Sequence, residues 1–125
     1  MLKLTMFVRR LPHLTRAEFD ANWRDRHGPL VRSHREILRI VRYVQTEPLA
    51  DPAAQQAIRA SRGLLEADFD GSAELWWHSL ADHAARTTAE GAAALRDLIE
   101  DERKFVDLNR SFAWYGTERT IISPD

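Results

Sequence analysis

The strongest structural signals of the chain lie in residues 14–30, which read LTRAEFDANWRDRHGPL. Thr15 and Glu18 have the spacing of a capping box, in which each side chain accepts a hydrogen bond from a free backbone N–H of the first helical turn. Leu14 and Phe19 flank the box as a hydrophobic staple, which fixes the angle at which the chain enters a helix. A helix that begins at Thr15 is therefore predicted.

The same stretch carries a predicted end for that helix. Gly28 suits a left-handed helix end, and Pro29 disfavours helical angles in the residue before it. The helix is expected to stop at His27, and residues 29–38 are expected to continue as a second helical piece at a different angle. Phe19, Trp23 and His27 are four residues apart and share one helix face, so the rings should point to the core and the imidazole to the rim of a pocket.

Periodicity predicts the other elements of the chain. Residues 2–9 alternate apolar and polar side chains, as a half-buried strand does. Residues 52–66 are rich in alanine and glutamine, which indicates a surface helix or a loop, and Asp70-Gly71 is a turn signal. The predicted strands are 2–9, 39–46, 73–78 and 112–122. The predicted helices are 15–27, 29–38, 80–86 and 88–106.

The order of these elements is βαββαβ, which folds most simply as a ferredoxin-like α+β domain over residues 1–125. Its four-stranded antiparallel sheet carries the helices on one face. The strands nevertheless have large apolar residues on both sides, with Trp76 opposite Trp77 and Phe7 opposite Met6. Because large exposed apolar patches usually mark an interface, a homodimer that packs sheet against sheet is predicted.

Composition excludes several functional classes. Eighteen basic and nineteen acidic residues give a net charge of −1 and are interspersed, which argues against nucleic acid as the main partner. No apolar run approaches the ~20 residues that span a bilayer, and the first residues lack a signal-peptide pattern, so no membrane partner and a cytoplasmic location are expected. With no cysteine, thiolate metal sites and cysteine nucleophiles are excluded.

His27 is the leading candidate for chemistry, because an imidazole titrates near neutrality and can both take and return a proton. The alternative is that His27 packs near a helix end and bonds a free carbonyl. Tyr43 on the second strand could act as a proton partner or stabilise an enolate, although a core tyrosine is the more common outcome. No cofactor motif is present, and the histidine spacings do not support a metal site. Glu100-Asp101-Glu102 is expected to be a solvated helix face.

The third strand offers further candidates for binding a ligand. Successive residues face opposite sides of a sheet, so either Trp77 faces the helices while Trp76 and His78 face a dimer partner, or these roles are exchanged. Either way one tryptophan can line a pocket, together with Phe19 and Trp23. The alternative is that both indoles serve only core or interface packing.

The chain resembles the EthD-domain family of dimeric α+β barrels. The most specific element is Trp23-x-x-x-His27-Gly28-Pro29-Leu30, and the weaker ones follow in the expected order. These are Lys3-Leu4-Thr5, Arg9-Arg10, Leu14-Thr15, Glu18-Phe19, Arg42-Tyr43-Val44-Gln45, Asp70-Gly71, Ala73-Glu74-Leu75-Trp76, Asp101-Glu102 and Phe105-Val106-Asp107. The resemblance implies a homodimer of ferredoxin-like subunits, each with a pocket between helices and sheet.

What the resemblance implies about function is broader. The family takes its name from a gene cluster for alkyl ether degradation, related fungal proteins are decarboxylases of aromatic acids, and the superfamily includes isomerases, cyclases and cofactor-free monooxygenases. The leading hypothesis is a cofactor-independent lyase or isomerase that acts by His27 acid/base catalysis on an apolar or aromatic oxygenated metabolite. The alternatives are a non-catalytic ligand-binding or accessory dimer of a degradative or biosynthetic cluster, or a cofactor-free monooxygenase.

Overall fold

Four strands form one antiparallel sheet in the order β2-β3-β1-β4. The structure, a computed structural model, describes residues 1–66 and 68–125. The strands are β1 (Leu2–Val8), β2 (Arg42–Thr46), β3 (Gly71–Trp77) and β4 (Phe112–Thr117). This sheet order, with β1 and β3 in the middle, is that of the predicted ferredoxin-like α+β fold.

Five α-helices connect these strands. They are α1 (Arg16–Asn22), α2 (Gly28–Ser33), α3 (Pro52–Arg62), α4 (Leu80–Ala85) and α5 (Ala89–Glu102). A π-helical turn (Trp23–His27) joins α1 to α2, and a 3₁₀ turn (Leu108–Arg110) precedes β4. The structure shows α3 as the predicted surface element, because none of its residues is buried. No helix in the described ranges has the length and apolar character needed to cross a membrane.

The start of α1 follows the capping signal in the sequence. The Thr15 hydroxyl accepts a hydrogen bond of 3.1 Å from the Glu18 backbone N–H, and the Glu18 carboxylate accepts one of 2.9 Å from the Thr15 backbone N–H. Both bonds of the predicted capping box are therefore present. They satisfy two N–H groups that the first helical turn leaves without partners.

The predicted break at Gly28 is wrong, because the chain stays helical through it. Gly28 has right-handed angles, with φ −54° and ψ −55°, and its N–H bonds to the Trp23 carbonyl five residues back. This π-helical bond absorbs one extra residue instead of ending the helix. Pro29 is then the second residue of α2, directly after the point where the π-helical turn passes into the α-helix. The second helical piece ends at Ser33, earlier than predicted.

The core lies between the sheet and the helices α1, α2 and α5. Along β3, Ala73, Leu75 and Trp77 face the helices and are buried, whereas Trp76 lies on the other face of the sheet. Helix residues such as Phe19, Val31 and Leu98 complete the two adjoining clusters of the core. Of the two orientations considered for the third strand, the observed one has Trp77 facing the helices.

Several strand ends differ from their predicted positions. The strand β2 begins at Arg42 rather than at residue 39, because Arg39 adopts a left-handed conformation with φ 56°. The strand β4 ends at Thr117 rather than at Ile122, because Thr117 pairs with Leu2, the first residue of β1, and no partner strand lies beyond it in the described chain.

The expected turn at Asp70-Gly71 is not formed, because Asp70 leads directly into β3, which begins at Gly71. Asp70 is buried, and its carboxylate forms ion pairs of 2.5 Å with Arg10 and 3.0 Å with Arg16. Gly71 packs flat against Trp23, and a Cβ added there would lie 2.5 Å from the indole ring. These contacts hold the beginning of α1 and the π-helical turn against the sheet, which positions His27.

Candidate functional site

A cavity of about 410 Å³ lies between the helices and the sheet. Most of its wall is apolar, with side chains from the sheet such as Leu4, Met6 and Leu75 opposite Leu98 and Ile99 of α5. Five polar or charged residues also line it, namely His27, Tyr43, Arg86, Glu102 and Tyr115. An apolar cavity with a few polar groups has the features of a small-molecule binding site.

His27 sits at the end of the π-helical turn and is 5% exposed. Its Nδ1 lies 2.9 Å from Oδ2 of Asp101, and its Nε2 lies 3.6 Å from Oε2 of Glu102. An ionised carboxylate only accepts hydrogen bonds, so Nδ1 carries the hydrogen and donates it to Asp101. In the neutral ring this leaves the lone pair on Nε2, beside Glu102.

Burial shifts both members of the His27 and Glu102 pair toward their neutral forms. It lowers the pKa of His27, against the opposing effect of the hydrogen bond to Asp101. It raises the pKa of Glu102 to about 7, with a further contribution from the negative charge of Asp101. Near neutral pH, one proton is therefore available to Glu102 or to Nε2 of His27. The 3.6 Å gap is too long for a hydrogen bond, so the two groups face the cavity without being bonded to each other.

Tyr43 contributes a hydroxyl group with a defined direction. The side-chain nitrogen Nε2 of Gln45 donates to the Trp23 carbonyl at 2.8 Å and to the Tyr43 hydroxyl at 2.9 Å, which uses both of its hydrogens. The Tyr43 oxygen accepts there, and its own O–H has no acceptor among residues 1–66 and 68–125. Burial raises the pKa of Tyr43 to about 12, so this group is a neutral donor available to a ligand oxygen.

The structure brings four of the predicted site residues together and leaves three elsewhere. His27, Tyr43, Trp23 and Trp77 line the cavity. Phe19 is fully buried behind that wall and packs against Trp23 and Phe105.

Trp76 and His78 do not reach the cavity. Trp76 lies on the opposite face of the sheet, where its indole N–H donates to Glu118 and the cations of Lys3 and Arg42 lie over its ring. His78 lies beyond the end of β3 and is exposed. The position of Trp76 follows from the alternation of the strand, because Trp77 takes the helix side.

Two residues beside His27 were not predicted as site residues. The expectation of a solvated acidic face is wrong for Asp101 and Glu102, whose side chains are only 16% and 19% exposed, whereas Glu100 is exposed. The sequence does contain a signal for them. Both lie three to four residues from buried Leu98 and Phe105, which is the spacing of a single helix face.

The histidines do not share a set of ligands. His27 bonds to Asp101, whereas His34 bonds at 2.8 Å to Asp97 near the surface. Across the described ranges, no group of three His, Asp or Glu side chains is arranged to hold a metal ion.

Comparison with known structures gives the same fold. An EthD family protein from Bacillus halodurans is 21% identical, with a TM-score of 0.59 over 95% of this chain and 100% of that chain. HapK from Hahella chejuensis is 11% identical, with a TM-score of 0.58 over 98% of this chain and 99% of that chain. SnoaB, a cofactor-independent oxygenase from Streptomyces nogalater, is 15% identical with a TM-score of 0.49, over 98% of each chain. At these identities the likeness to the EthD family protein and to HapK shows the fold alone. No curated protein matches the chain.

A family model extends the comparison to the sequence of the site. The model of the EthD domain matches residues 11–109, a range that includes His27, Tyr43, Asp101 and Glu102. Because this match covers most of the chain and the fold agrees with that of an EthD family structure, the protein belongs to the EthD domain family.

Proposed function

We propose that this protein binds an apolar or aromatic oxygenated molecule in the cavity and transfers protons on it as a cofactor-independent lyase or isomerase. One observation carries the proposal: a buried imidazole, held by Asp101 at 2.9 Å, faces Glu102 across 3.6 Å at the wall of an apolar cavity. Pairs of titratable groups with perturbed pKa values in a cavity are typical of acid/base sites.

Each polar group has a distinct role in the proposed reaction. Nε2 of His27 removes a proton from the ligand, and Asp101 stabilises the imidazolium that forms. Protonated Glu102 returns a proton to a second atom of the ligand, and the Tyr43 O–H donates to the oxygen on which charge develops. If both protons move on one carbon skeleton, the result is an isomerisation. If the electron pair of the broken C–H bond forms a new double bond and expels a leaving group, which takes the proton of Glu102, the result is an elimination.

The test uses a reaction that needs only a base in an apolar environment. In the ring opening of 5-nitrobenzisoxazole, a base removes the proton on carbon, the N–O bond breaks, and a coloured cyanophenolate is released. We expect the protein to accelerate this reaction above the buffer rate, and His27→Gln to lower the acceleration at least about tenfold.

A matched control separates the cavity histidine from a general effect of histidine. His34 bonds to Asp97 near the surface, so His34→Gln removes a similar pair without touching the cavity. This variant should keep the rate of the parent protein. Equal rates for His27→Gln and the parent protein would contradict the catalytic proposal. If the probe still binds, this result would favour the ligand-binding alternative.

The proposed partner at the outer face of the sheet is a second copy of the chain. Phe7, Phe69, Phe112 and Trp114 form an aromatic cluster there, with ring centroids between 5.2 and 6.0 Å apart. Phe112 and Trp114 are 47% and 55% exposed. A patch of this kind is costly to leave in water, and two copies that pack sheet against sheet would cover it.

A further inference from the structure

Arg86 is a charged residue of the cavity wall to which the proposed acid/base chemistry gives no role. It directly follows α4 and lies three residues before the first residue of α5, whereas Glu102 is the last residue of α5. A helix of 14 residues is about 20 Å long, so Arg86 and Glu102 approach the cavity from opposite ends of the same helix. Positive charge and acid/base groups are thus separated along the cavity.

The charge of Arg86 has no counterion in the described part of the chain. No carboxylate there lies within ion-pair distance of its guanidinium, and the guanidinium carbon lies 5.7 Å from the centroid of the Trp77 ring. The neighbouring polar groups satisfy each other instead, because the Tyr115 hydroxyl and Nε2 of His83 are 3.0 Å apart. Arg86 is also the single Lys or Arg among the described residues that line the cavity.

The backbone of Arg86 is held firmly by the turn between α4 and α5. Thr88 caps α5 by accepting a hydrogen bond of 3.0 Å from the Gly91 N–H. A Cβ at position 91 would overlap the Arg86 carbonyl, so glycine is required for this close approach. The Arg86 side chain therefore extends from a backbone position that this turn fixes.

We propose that Arg86 binds an anionic oxygen group of the ligand, with a carboxylate as its simplest form. This inference rests on the proposed function, because it assumes that the cavity holds the ligand. A guanidinium presents its N–H donors in a planar fork that matches the two oxygens of a carboxylate. Beside the Trp77 ring and an apolar wall, water competes less for these bonds than at an open surface. The ligand is then an apolar or aromatic molecule with its acidic group at one end and its reacting atoms toward His27.

Two probes of similar shape test this assignment, namely 2-naphthoate and the neutral ketone 2-acetonaphthone. Binding is measured by calorimetry on the parent protein, Arg86→Gln, Arg86→Lys and the control Arg96→Gln. Arg96 is exposed on α5 and does not line the cavity, so the control makes the same change in net charge. We expect Arg86→Gln to weaken 2-naphthoate binding about tenfold and to leave 2-acetonaphthone binding unchanged. Arg86→Lys should keep part of the affinity for 2-naphthoate.

Each other outcome overturns the assignment in a recognisable way. Equal 2-naphthoate affinity in Arg86→Gln and the parent protein would show that Arg86 does not bind the ligand. The proton-transfer proposal would be unaffected, because the reaction rate of His27→Gln tests it separately. A selective loss of 2-naphthoate binding in His27→Gln, and not in Arg86→Gln, places the anionic group at the imidazole. Failure of the parent protein to bind either probe contradicts both proposals.

Discussion

His27 and Asp101 are 74 residues apart in the sequence, and a hydrogen bond of 2.9 Å joins Nδ1 of the imidazole to Oδ2 of the carboxylate. This bond selects the ring tautomer, because the carboxylate accepts the hydrogen on Nδ1 and leaves the lone pair on Nε2, the proposed base. Asp101 does not itself line the cavity. In the proposed reaction it is therefore a positioning residue that acts through His27.

Asp101→Asn should weaken proton transfer without weakening ligand binding. The hydrogen bond to Asp101 and its charge raise the pKa of His27, so their loss should lower that pKa further. We expect an NMR titration to show this fall, and the ring opening of 5-nitrobenzisoxazole to slow about tenfold or more. The affinity for 2-acetonaphthone should remain that of the parent protein.

The matched control for this prediction is Asp97→Asn, which removes the partner of the surface histidine His34. It should leave both the pKa of His27 and the reaction rate unchanged. An unaltered His27 titration in Asp101→Asn would show that the hydrogen bond does not govern the imidazole.

Local signals predicted much of the fold, whereas the site depends on contacts between distant residues. The capping box at Thr15 and the alternation of β1 act within a few residues, so the sequence contains them in full. The π-helical turn was not predictable in this way, because the Trp23 carbonyl also accepts a hydrogen bond from Gln45 on β2. Tertiary contacts of this kind override the tendency of Gly28 to end a helix.

The acidic residues of the site illustrate the same limit. Charge alone indicates a solvated face for Glu100, Asp101 and Glu102, and this holds for Glu100. Only the position of α5 against the π-helical turn shows that the other two meet a buried imidazole. The sequence indicates the helix face on which they lie, but not what that face contacts.

Tyr43→Phe should weaken the binding of a ligand that has a carbonyl oxygen. The variant removes the one O–H that the Gln45 contact leaves free to donate into the cavity. We expect 2-acetonaphthone to bind about five- to tenfold more weakly, since a neutral hydrogen bond contributes roughly 1 kcal/mol. Naphthalene, which has no acceptor, should bind as before.

Tyr115→Phe provides the matched control for Tyr43→Phe. Tyr115 also lines the cavity, but its hydroxyl is 3.0 Å from Nε2 of His83 and is therefore already engaged. Calorimetry should show little change in ketone binding for this variant. Equal losses in the two variants would contradict the specific role of Tyr43.

Trp114→Lys should prevent the proposed homodimer from forming. The substitution places a charge in the aromatic cluster on the outer face of the sheet, where burial without a partner is costly. Sedimentation equilibrium should give twice the chain mass of 14.4 kDa for the parent protein and a single chain mass for the variant. Leu65→Lys is the control, because Leu65 is 91% exposed and lies outside the cluster. A parent protein that sediments as a monomer would contradict the interface.

Glu102→Gln should stabilise the protein at alkaline pH and have little effect in acid. Burial raises the pKa of Glu102 from 4.5 to about 7, so the folded chain holds a proton that the unfolded chain has already lost between these values. The free energy of unfolding of the parent protein therefore falls as the pH rises from 4.5 to 7, and the full destabilisation by ionised Glu102 is present above pH 7. Below pH 4.5 Glu102 is protonated in both the folded and the unfolded chain, and this destabilisation is absent. The amide of the variant cannot ionise, so we expect it to be about 2–3 kcal/mol more stable than the parent protein at about pH 8 and nearly equal at about pH 4.

Urea unfolding at about pH 4, 6 and 8 measures this difference directly, with Glu100→Gln as the control on the same helix. Glu100 is exposed, so its replacement should leave the pH dependence of stability unchanged.

The same Glu102→Gln variant also separates the effect of Glu102 on stability from its proposed role in the reaction. If Glu102 returns the proton that His27 removes, Glu102→Gln should gain stability at alkaline pH and yet lose turnover of a substrate that must be reprotonated. If the difference in free energy of unfolding between the variant and the parent protein is the same at all three pH values, Glu102 ionises as freely in the folded protein as in water. The proposed acid/base pair would then lack its acid.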